Sequence, residues 1–188
     1  LAFGGWRHKE LALKLKGVPY LEILKGGGGI LSTVRATRAA SVGSLVQKGL
    51  WVLDQMLAHG TTTVEAKSGY GLTLEDERKQ LAAAKAAHPV RRVHTCLAAH
   101  LTPEEYAGRE DEYIDLVCAE ILPALVGQAE FADVFCDEGA FSVAQSRRVL
   151  EAARGLGYRL KMHAEELAHT GGTALAAKYG ALSADHLE

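Results

Sequence analysis

Cysteine is scarce in this 188-residue chain, which has three: Cys96, Cys118 and Cys136. An odd number at no zinc-like spacing, two of them inside strongly apolar segments, argues against a disulfide framework and for buried thiols in a reducing compartment. No charge of one sign dominates, since 21 Lys and Arg stand against 23 Asp and Glu for a net charge of -2. A nucleic acid or an anionic lipid surface therefore meets no broad electrostatic footprint, and the basic doublets Arg91-Arg92 and Arg147-Arg148 are isolated. No uncharged apolar run approaches the roughly 20 residues of a membrane helix, and the start shows no basic stretch leading into an apolar run and a small-residue cleavage site. What is plentiful is apolar content, at 48% too high for a disordered tail. The expectation is a soluble, globular, cytoplasmic protein with one core that buries about 70% of its unfolded surface. The chain also begins with Leu1 rather than Met.

Short β-rich runs alternate with longer helical patterns, the signature of repeated βα units around a parallel sheet. From Ser32 to Ala58 one helical face carries Leu45, Val46, Leu50, Leu53 and Leu57, and His59-Gly60 ends it. Strands are expected over 61–66, 90–97, 131–136, 158–164 and 181–185. Between them, Thr73 and Asp76 read as a capping box for a helix reaching Ala87, and Thr102-Pro103-Glu104-Glu105 as a second helix start. Ile114, Val117, Ile121 and Leu125 form a buried helical stripe that Pro123 should kink or restart. Ser142 with Gln145 opens a further helix that Gly155 and Gly157 close, and 170–179 is a short one. Trp6 and Trp51 are expected in the core.

Both a (β/α) barrel and an open doubly wound sheet fit this alternation, and the polar residues favour the barrel. Tyr70, His100, Glu138, His163, Glu166 and His186 all fall just past strand ends, where barrels gather reactive groups; an open sheet would concentrate them at one switch point. No G-x-G-x-x-G follows a strand, and the run Gly26–Gly29 lacks a P-loop lysine, so a flexible turn is the better reading. There is also no G-x-S-x-G elbow, and Cys96, inside a strand, suggests packing rather than nucleophilic chemistry.

The sharpest local constellation is Lys161-Met162-His163-Ala164-Glu165-Glu166 at a strand end. A neutral imidazole there suits zinc or ferrous iron, and a carboxylate three residues on can hold water and move its proton. Each residue alone also has a plain structural reading. His163 can be a hydrogen-bonded core histidine, Glu165 and Glu166 a solvated helix start, Arg7 an exposed cation, Tyr70 a turn aromatic and His100 a neighbour of the Thr102 cap. Their joint position at strand ends is what carries the functional argument.

The strings Phe3-Gly4-Gly5-Trp6-Arg7, Gly26 to Val34, Glu65-Ala66-Lys67-Ser68-Gly69-Tyr70-Gly71-Leu72, Asp133 to Phe141, Lys161 to Glu166 and Ser183 to Leu187 together resemble the imidazolonepropionase family of the amidohydrolase superfamily. The resemblance runs in order along almost the whole chain. It implies an α/β fold, a (β/α)8 TIM-type barrel of the metal-dependent amidohydrolase kind, of which 1–188 form one partial domain holding about strands 2–6. It implies hydrolysis of the cyclic amide of 4-imidazolone-5-propanoate to N-formimidoyl-L-glutamate in histidine catabolism, with one zinc or iron ion. His163 is then a metal ligand, Glu166 the acid/base that touches substrate and water, and His186 the group that polarises the ring carbonyl. Arg7, Tyr70 and His100 map to substrate contacts, with a guanidinium suited to a carboxylate.

Two departures accompany the resemblance. The family's His-X-His pair precedes its phenylalanine-glycine-glycine segment and its aspartate ligand follows a later strand, so the remaining metal ligands are expected outside this chain. The 188 residues alone are accordingly expected to be inactive, and their open strand edges to favour association. A small-molecule substrate, no nucleic acid, no membrane and a homodimer as the candidate assembly complete the expectations. The alternatives are an amidohydrolase-type deaminase of a nitrogen heterocycle, or a non-catalytic barrel module that binds a small anionic heterocycle.

Overall fold

The computed structural model describes residues 3–18, 22 and 28–188; Leu1 and, within the glycine run, Gly26 and Gly27 lie outside the described residues. Five strands, β1 (Thr63–Lys67), β2 (Arg91–Ala99), β3 (Phe131–Cys136), β4 (Arg159–Ala164) and β5 (Ser183–His186), lie in sequential order in one sheet, and every neighbouring pair is parallel. The connections are helical: α4 (Leu74–Ala84), α5 (Glu110–Leu116), α6 (Val143–Gly155) and α7 (Gly172–Tyr179). Before β1 come α1 (His8–Leu15), α2 (Ile30–Ala39) and α3 (Val42–Ala58). Strand order that never reverses fits part of a β/α barrel and not a doubly wound sheet, whose order reverses at a switch point.

Single-residue alternation gives the sheet two unlike faces. Cys96 and Ala98 of β2, Ala132, Val134 and Cys136 of β3, and Leu160, Met162 and Ala164 of β4 are buried in the main apolar cluster, with Ile114, Phe141, Val149 and Leu150 from the connecting segments. The opposite positions carry Glu65, Lys67, Thr95, Asp133, Lys161, His163 and Asp185, joined to one another by hydrogen bonds and ion pairs. Lys67, in the first strand, and Asp185, in the fifth, meet at 2.6 Å. Four strand spacings in a flat sheet would part them by about 19 Å, so the sheet is curled with its polar face inside.

One irregularity aims a side chain. Cys96 pairs with Ala132 and Ala99 with Val134, so β2 carries one residue more than β3 over that stretch. The extra residue reverses the alternation, and His100 therefore shares the inner side with Thr95 and Leu97. The Tyr113 hydroxyl, fully buried, donates to Ala98 O (2.8 Å) beside this bulge.

Local chemistry redraws several expected elements. The 32–58 helix is two helices, because Ala40 is extended and the Ser41 side chain accepts from Ser44 N, capping α3. Thr73 does cap α4 by accepting from Asp76 N, but Asp76 returns to the Thr73 hydroxyl and not to its backbone. The Thr102-Pro103 start yields only a 3-10 turn, Glu104–Tyr106, and the helix proper begins at Glu110. Pro123 follows a π-helical turn, Val117–Ile121, and the chain stays helical through Ala124, so the missing N–H is absorbed by widening rather than a break. Trp6 and Trp51 are not core residues: they are 59% and 54% exposed and pack edge to face on each other, 5.6 Å between centroids.

Phe141, fully buried and stacked on Tyr113 at 6.2 Å, sits where α6 meets the sheet. Phe141→Ala is expected to cost about 3–5 kcal/mol, and Trp51→Ala at most about 1 kcal/mol. Urea unfolding of the two variants checks the order, which an interior Trp51 would reverse.

Candidate active site

At the C-terminal rim of the strands a cavity of about 650 Å³ is lined by Arg7, Tyr70, His100, His163, Glu166 and His186, together with Lys14, Lys67 and Phe135. All six residues singled out from the sequence thus face one space. The remaining strand-end candidate, Glu138, does not: it is exposed and lines no part of this cavity. Its neighbour Asp137 is the buried one.

Each wall has its own support. The segment before α1 docks on α2 through Gly4, whose N–H donates to Thr37 Oγ1 (2.8 Å). A Cβ at Gly4 would fall 2.3 Å from Ala36 O, so only glycine permits the contact that delivers Arg7. Glu10 then holds the Arg7 guanidinium at Nε (2.8 Å) and Nη2 (2.7 Å). Although burial pushes the Glu10 carboxyl up, the Arg7 and Ser32 hydrogen bonds and the Arg7 charge leave it below its ordinary value. Tyr70 lies on a loop gathered around a buried carboxylate, that of Glu77, which accepts from Gly69 N (2.9 Å), Gly71 N (2.9 Å) and Leu72 N (2.8 Å). Desolvation nevertheless raises the Glu77 pKa, against the opposing effect of those N–H groups and Ser68. Tyr70 itself is raised by burial, with the Arg7 charge opposing, so its phenol stays a hydrogen-bond donor.

The imidazoles form a row. His100 and His163 centroids are 6.0 Å apart, His163 and His186 5.4 Å, and Tyr70 stands edge-on to His100 at 5.3 Å. His100 donates from Nδ1 to Gly69 O (2.9 Å), leaving Nε2 to the cavity. His163 Nδ1 lies 3.0 Å from Asp133 Oδ1. His186 Nε2 lies 3.3 Å from Glu166 Oε2. The loop after β4 is pinned by Asp137, which accepts from the backbone N–H of Glu138, Glu166, Leu167 and Ala168 at 2.6–3.1 Å. Burial opposes ionisation of Asp137, but the four N–H donors hold its carboxyl below the usual range. Four non-glycine residues on the segments that follow the strands, Leu72 (φ 60°), Glu165 (φ 56°), His186 (φ 80°) and Leu187 (φ 66°), adopt left-handed backbone, strain of the kind that accumulates at functional sites.

Sequence reading passed over Lys67, Glu77, Asp133 and Asp137, which position the rest. Lys67 Nζ lies 2.6 Å from both Asp133 Oδ2 and Asp185 Oδ2. Burial alone would lower the lysine, but the Asp133 charge and the hydrogen bonds to Asp133 and Asp185 raise it above its ordinary value, so it remains an ammonium. Asp133 is held low in return: burial raises it, and His163 and Lys67 outweigh that. Donor atoms of Asp133, His163 and Asp185 lie within 4.8 Å of one another. The ammonium already bridges both carboxylates of that trio, so the donor a metal would find oriented is His163 Nε2, with Asp133 fixing the ring from behind.

Acid, imidazoles, phenol and guanidinium gathered on the rim of successive βα units are the site architecture of a β/α enzyme. Curated relatives make the class particular. The chain is 56% identical over 192 residues to the imidazolonepropionase of Alkaliphilus metalliredigens, covering 100% of this chain and 46% of the relative. It is 55% identical to that of Symbiobacterium thermophilum, with 100% and 45% covered, and 50% identical to that of Streptococcus pyogenes serotype M6, with 100% and 46% covered. The imidazolonepropionase resemblance thus extends over every residue of the chain, and the chain spans a little under half the length of these relatives. No protein-family model matches it. No helix among the described residues is long and apolar enough to cross a membrane.

His100 supplies a pH signature. Burial lowers its pKa to about 4, against the raising effect of Gly69 O, while an unfolded histidine titrates near 6.5. Between those values the unfolded chain binds the extra proton, so stability is complete above pH 6.5 and declines as pH falls toward 4. The decline is expected to reach ~3 kcal/mol at most. Urea unfolding at several pH values, compared with His100→Gln, checks it: the variant should lose most of the slope.

Proposed function

We propose that this chain carries one part of the catalytic centre of a hydrolase that opens the cyclic amide of 4-imidazolone-5-propanoate to N-formimidoyl-L-glutamate. The observation that carries the reading is the convergence of Arg7, Tyr70, His100, His163, Glu166 and His186 on one rim cavity, in a chain 50–56% identical to imidazolonepropionases. The fold in this reading is the middle of a (β/α)8 amidohydrolase barrel, about strands 2–6, forming a single domain. A cytoplasmic location and homodimeric assembly go with it.

Arg7, its plane set by Glu10, meets the propanoate carboxylate; Tyr70 and the neutral His100 contact the ring. His163 Nε2 would hold a zinc or iron ion, the nitrogen left to it when Nδ1 bonds Asp133. A bound ion of that kind supplies Lewis acidity and acidifies water to a pKa of about 7. Glu166 takes a proton from water as the oxygen attacks the ring carbonyl carbon, and passes it to the departing ring nitrogen as the C–N bond breaks. His186, 3.3 Å from that carboxylate, stabilises the developing oxyanion.

In the intact protein, Glu166→Gln is expected to lower kcat about 10²–10⁴-fold while substrate still binds, followed as loss of imidazolonepropanoate. Ammonia release in place of simple ring opening would assign the site to a deaminase. In this reading His163 is the one ligand that the 188-residue chain supplies, where catalytic zinc takes about three protein ligands. Turnover by that chain with added zinc or iron is expected at background, and robust turnover would overturn this reading of the metal site.

A further inference from the structure

The inner face of the sheet brings four side chains from β1, β3, β4 and β5 to one point. Lys67 Nζ lies 2.6 Å from Asp133 Oδ2 and 2.6 Å from Asp185 Oδ2, and Asp133 Oδ1 lies 3.0 Å from His163 Nδ1. The Asp133 carboxylate is fully buried, so its two oxygens are divided between an ammonium and an imidazole. Lys67 is itself confined: Glu65 stands 3.7 Å from Nζ and is tied in turn to Lys161 at 2.9 Å.

We propose that Lys67 is a positioning residue: by claiming one oxygen of the side chain at 133 it fixes which group of that side chain faces His163, so that Asp133 places the hydrogen on Nδ1 and leaves the Nε2 lone pair to the cavity, where an amide in its place could not. The logic is one of donors and acceptors. An ammonium has three hydrogens and no acceptor, so whatever stands at position 133 must turn an oxygen toward Lys67. A carboxylate then has only another acceptor for His163, and Nδ1 must donate. The usefulness of this arrangement rests on His163 being a ligand, as proposed above; the tautomer itself does not, and is measured without metal or substrate.

The decisive variant is Asp133→Asn. Its carbonyl oxygen is claimed by Lys67, its amide N–H therefore faces His163 Nδ1, and the imidazole must accept there and carry its hydrogen on Nε2. Removing the ammonium as well, in Lys67→Met with Asp133→Asn, frees the amide to turn over and lets the Nδ1–H form return. Long-range 1H–15N spectra of the metal-free, 15N-labelled protein at one alkaline pH read the tautomer directly, with the His163 signals assigned by their loss in His163→Gln. The expected result is Nδ1–H in the parent, predominantly Nε2–H in Asp133→Asn, and recovery of Nδ1–H in the double variant. If Asp133→Asn leaves the tautomer unchanged, or the double variant matches the single one, Lys67 does not set it and the proposal is wrong. Thermal melts establish that each variant folds. Should Lys67→Met fail to fold, Lys67→Gln in the same background also offers an oxygen and lifts the donor-only constraint, and persistence of Nε2–H there overturns the proposal equally. Turnover of the intact protein that survives a switched tautomer would count against the ligand assignment alone, so the two readings fail separately.

Discussion

A lysine ammonium shared between aspartates of the third and fifth strands is what the rest of this chain is arranged around. Lys67 reaches Asp133 and Asp185 at 2.6 Å each, a geometry available only if the sheet curls until its two edge strands approach across the inside. Charges placed there pay a desolvation cost, and a buried pair that loses one member costs about 3–5 kcal/mol because the other is stranded. The network is therefore closed on itself, Glu65 to Lys161 and Lys67, Lys67 to the aspartates, Asp133 to His163. The last link joins scaffold to chemistry: the residue that satisfies a structural carboxylate is the one whose remaining nitrogen faces the cavity.

The rim loops obey a similar economy of backbone groups. Glu77 collects the N–H groups of the loop before α4, and Asp137 those of the loop after β4. Each carboxylate does for a loop what a cap does for a helix end, satisfying donors that regular structure leaves open. The consequence is that Tyr70 and Glu166 project from segments with few alternative shapes. At Gly71 a side chain is excluded outright, since a Cβ would come within 2.6 Å of the Asp76 and Glu77 backbone. Glu165 and His186, held at positive φ without glycine's freedom, are tolerated because the surrounding bonds over-determine them.

Much of this was legible in the residues, and the parts that were not share a cause. Period-two runs and helical stripes locate the five described strands and their connecting helices, most ends within a few residues and the start of α5 at Glu110 rather than Thr102, because burial on one face dictates both periods. Strand-end position points to five of the cavity residues, since a parallel β/α sheet gathers converging side chains there, while Arg7, ahead of the first helix, is legible only through the resemblance. Glu138 was taken in place of Asp137 because adjacent carboxylates look alike until the backbone they serve is known. The alternation Lys161-Met162-His163 did signal a polar inner face, but Lys67, Asp133 and Asp185 stand in separate strands, and only register brings them together. Trp6 and Trp51 misled because large aromatic area favours burial on average, while two rings that bury part of each other on the surface satisfy the same tendency.

The division of the sheet into an apolar outer face and a charged inner one separates stability from chemistry in space. The dominant cluster lies between strands and helices, where Ile114, Val134, Phe141, Leu150 and Met162 are fully enclosed, and none of these residues lines the cavity. Inner-face residues contribute little net hydrophobic energy, and their ion pairs are weak evidence for stability because desolvation offsets attraction. They contribute direction instead: which oxygen meets which nitrogen, and which nitrogen is left over. A fold built this way can exchange substrate contacts at the rim without disturbing its core, but it cannot exchange Lys67, Asp133 or His163 one at a time, since each defines the hydrogen-bonding role of the next.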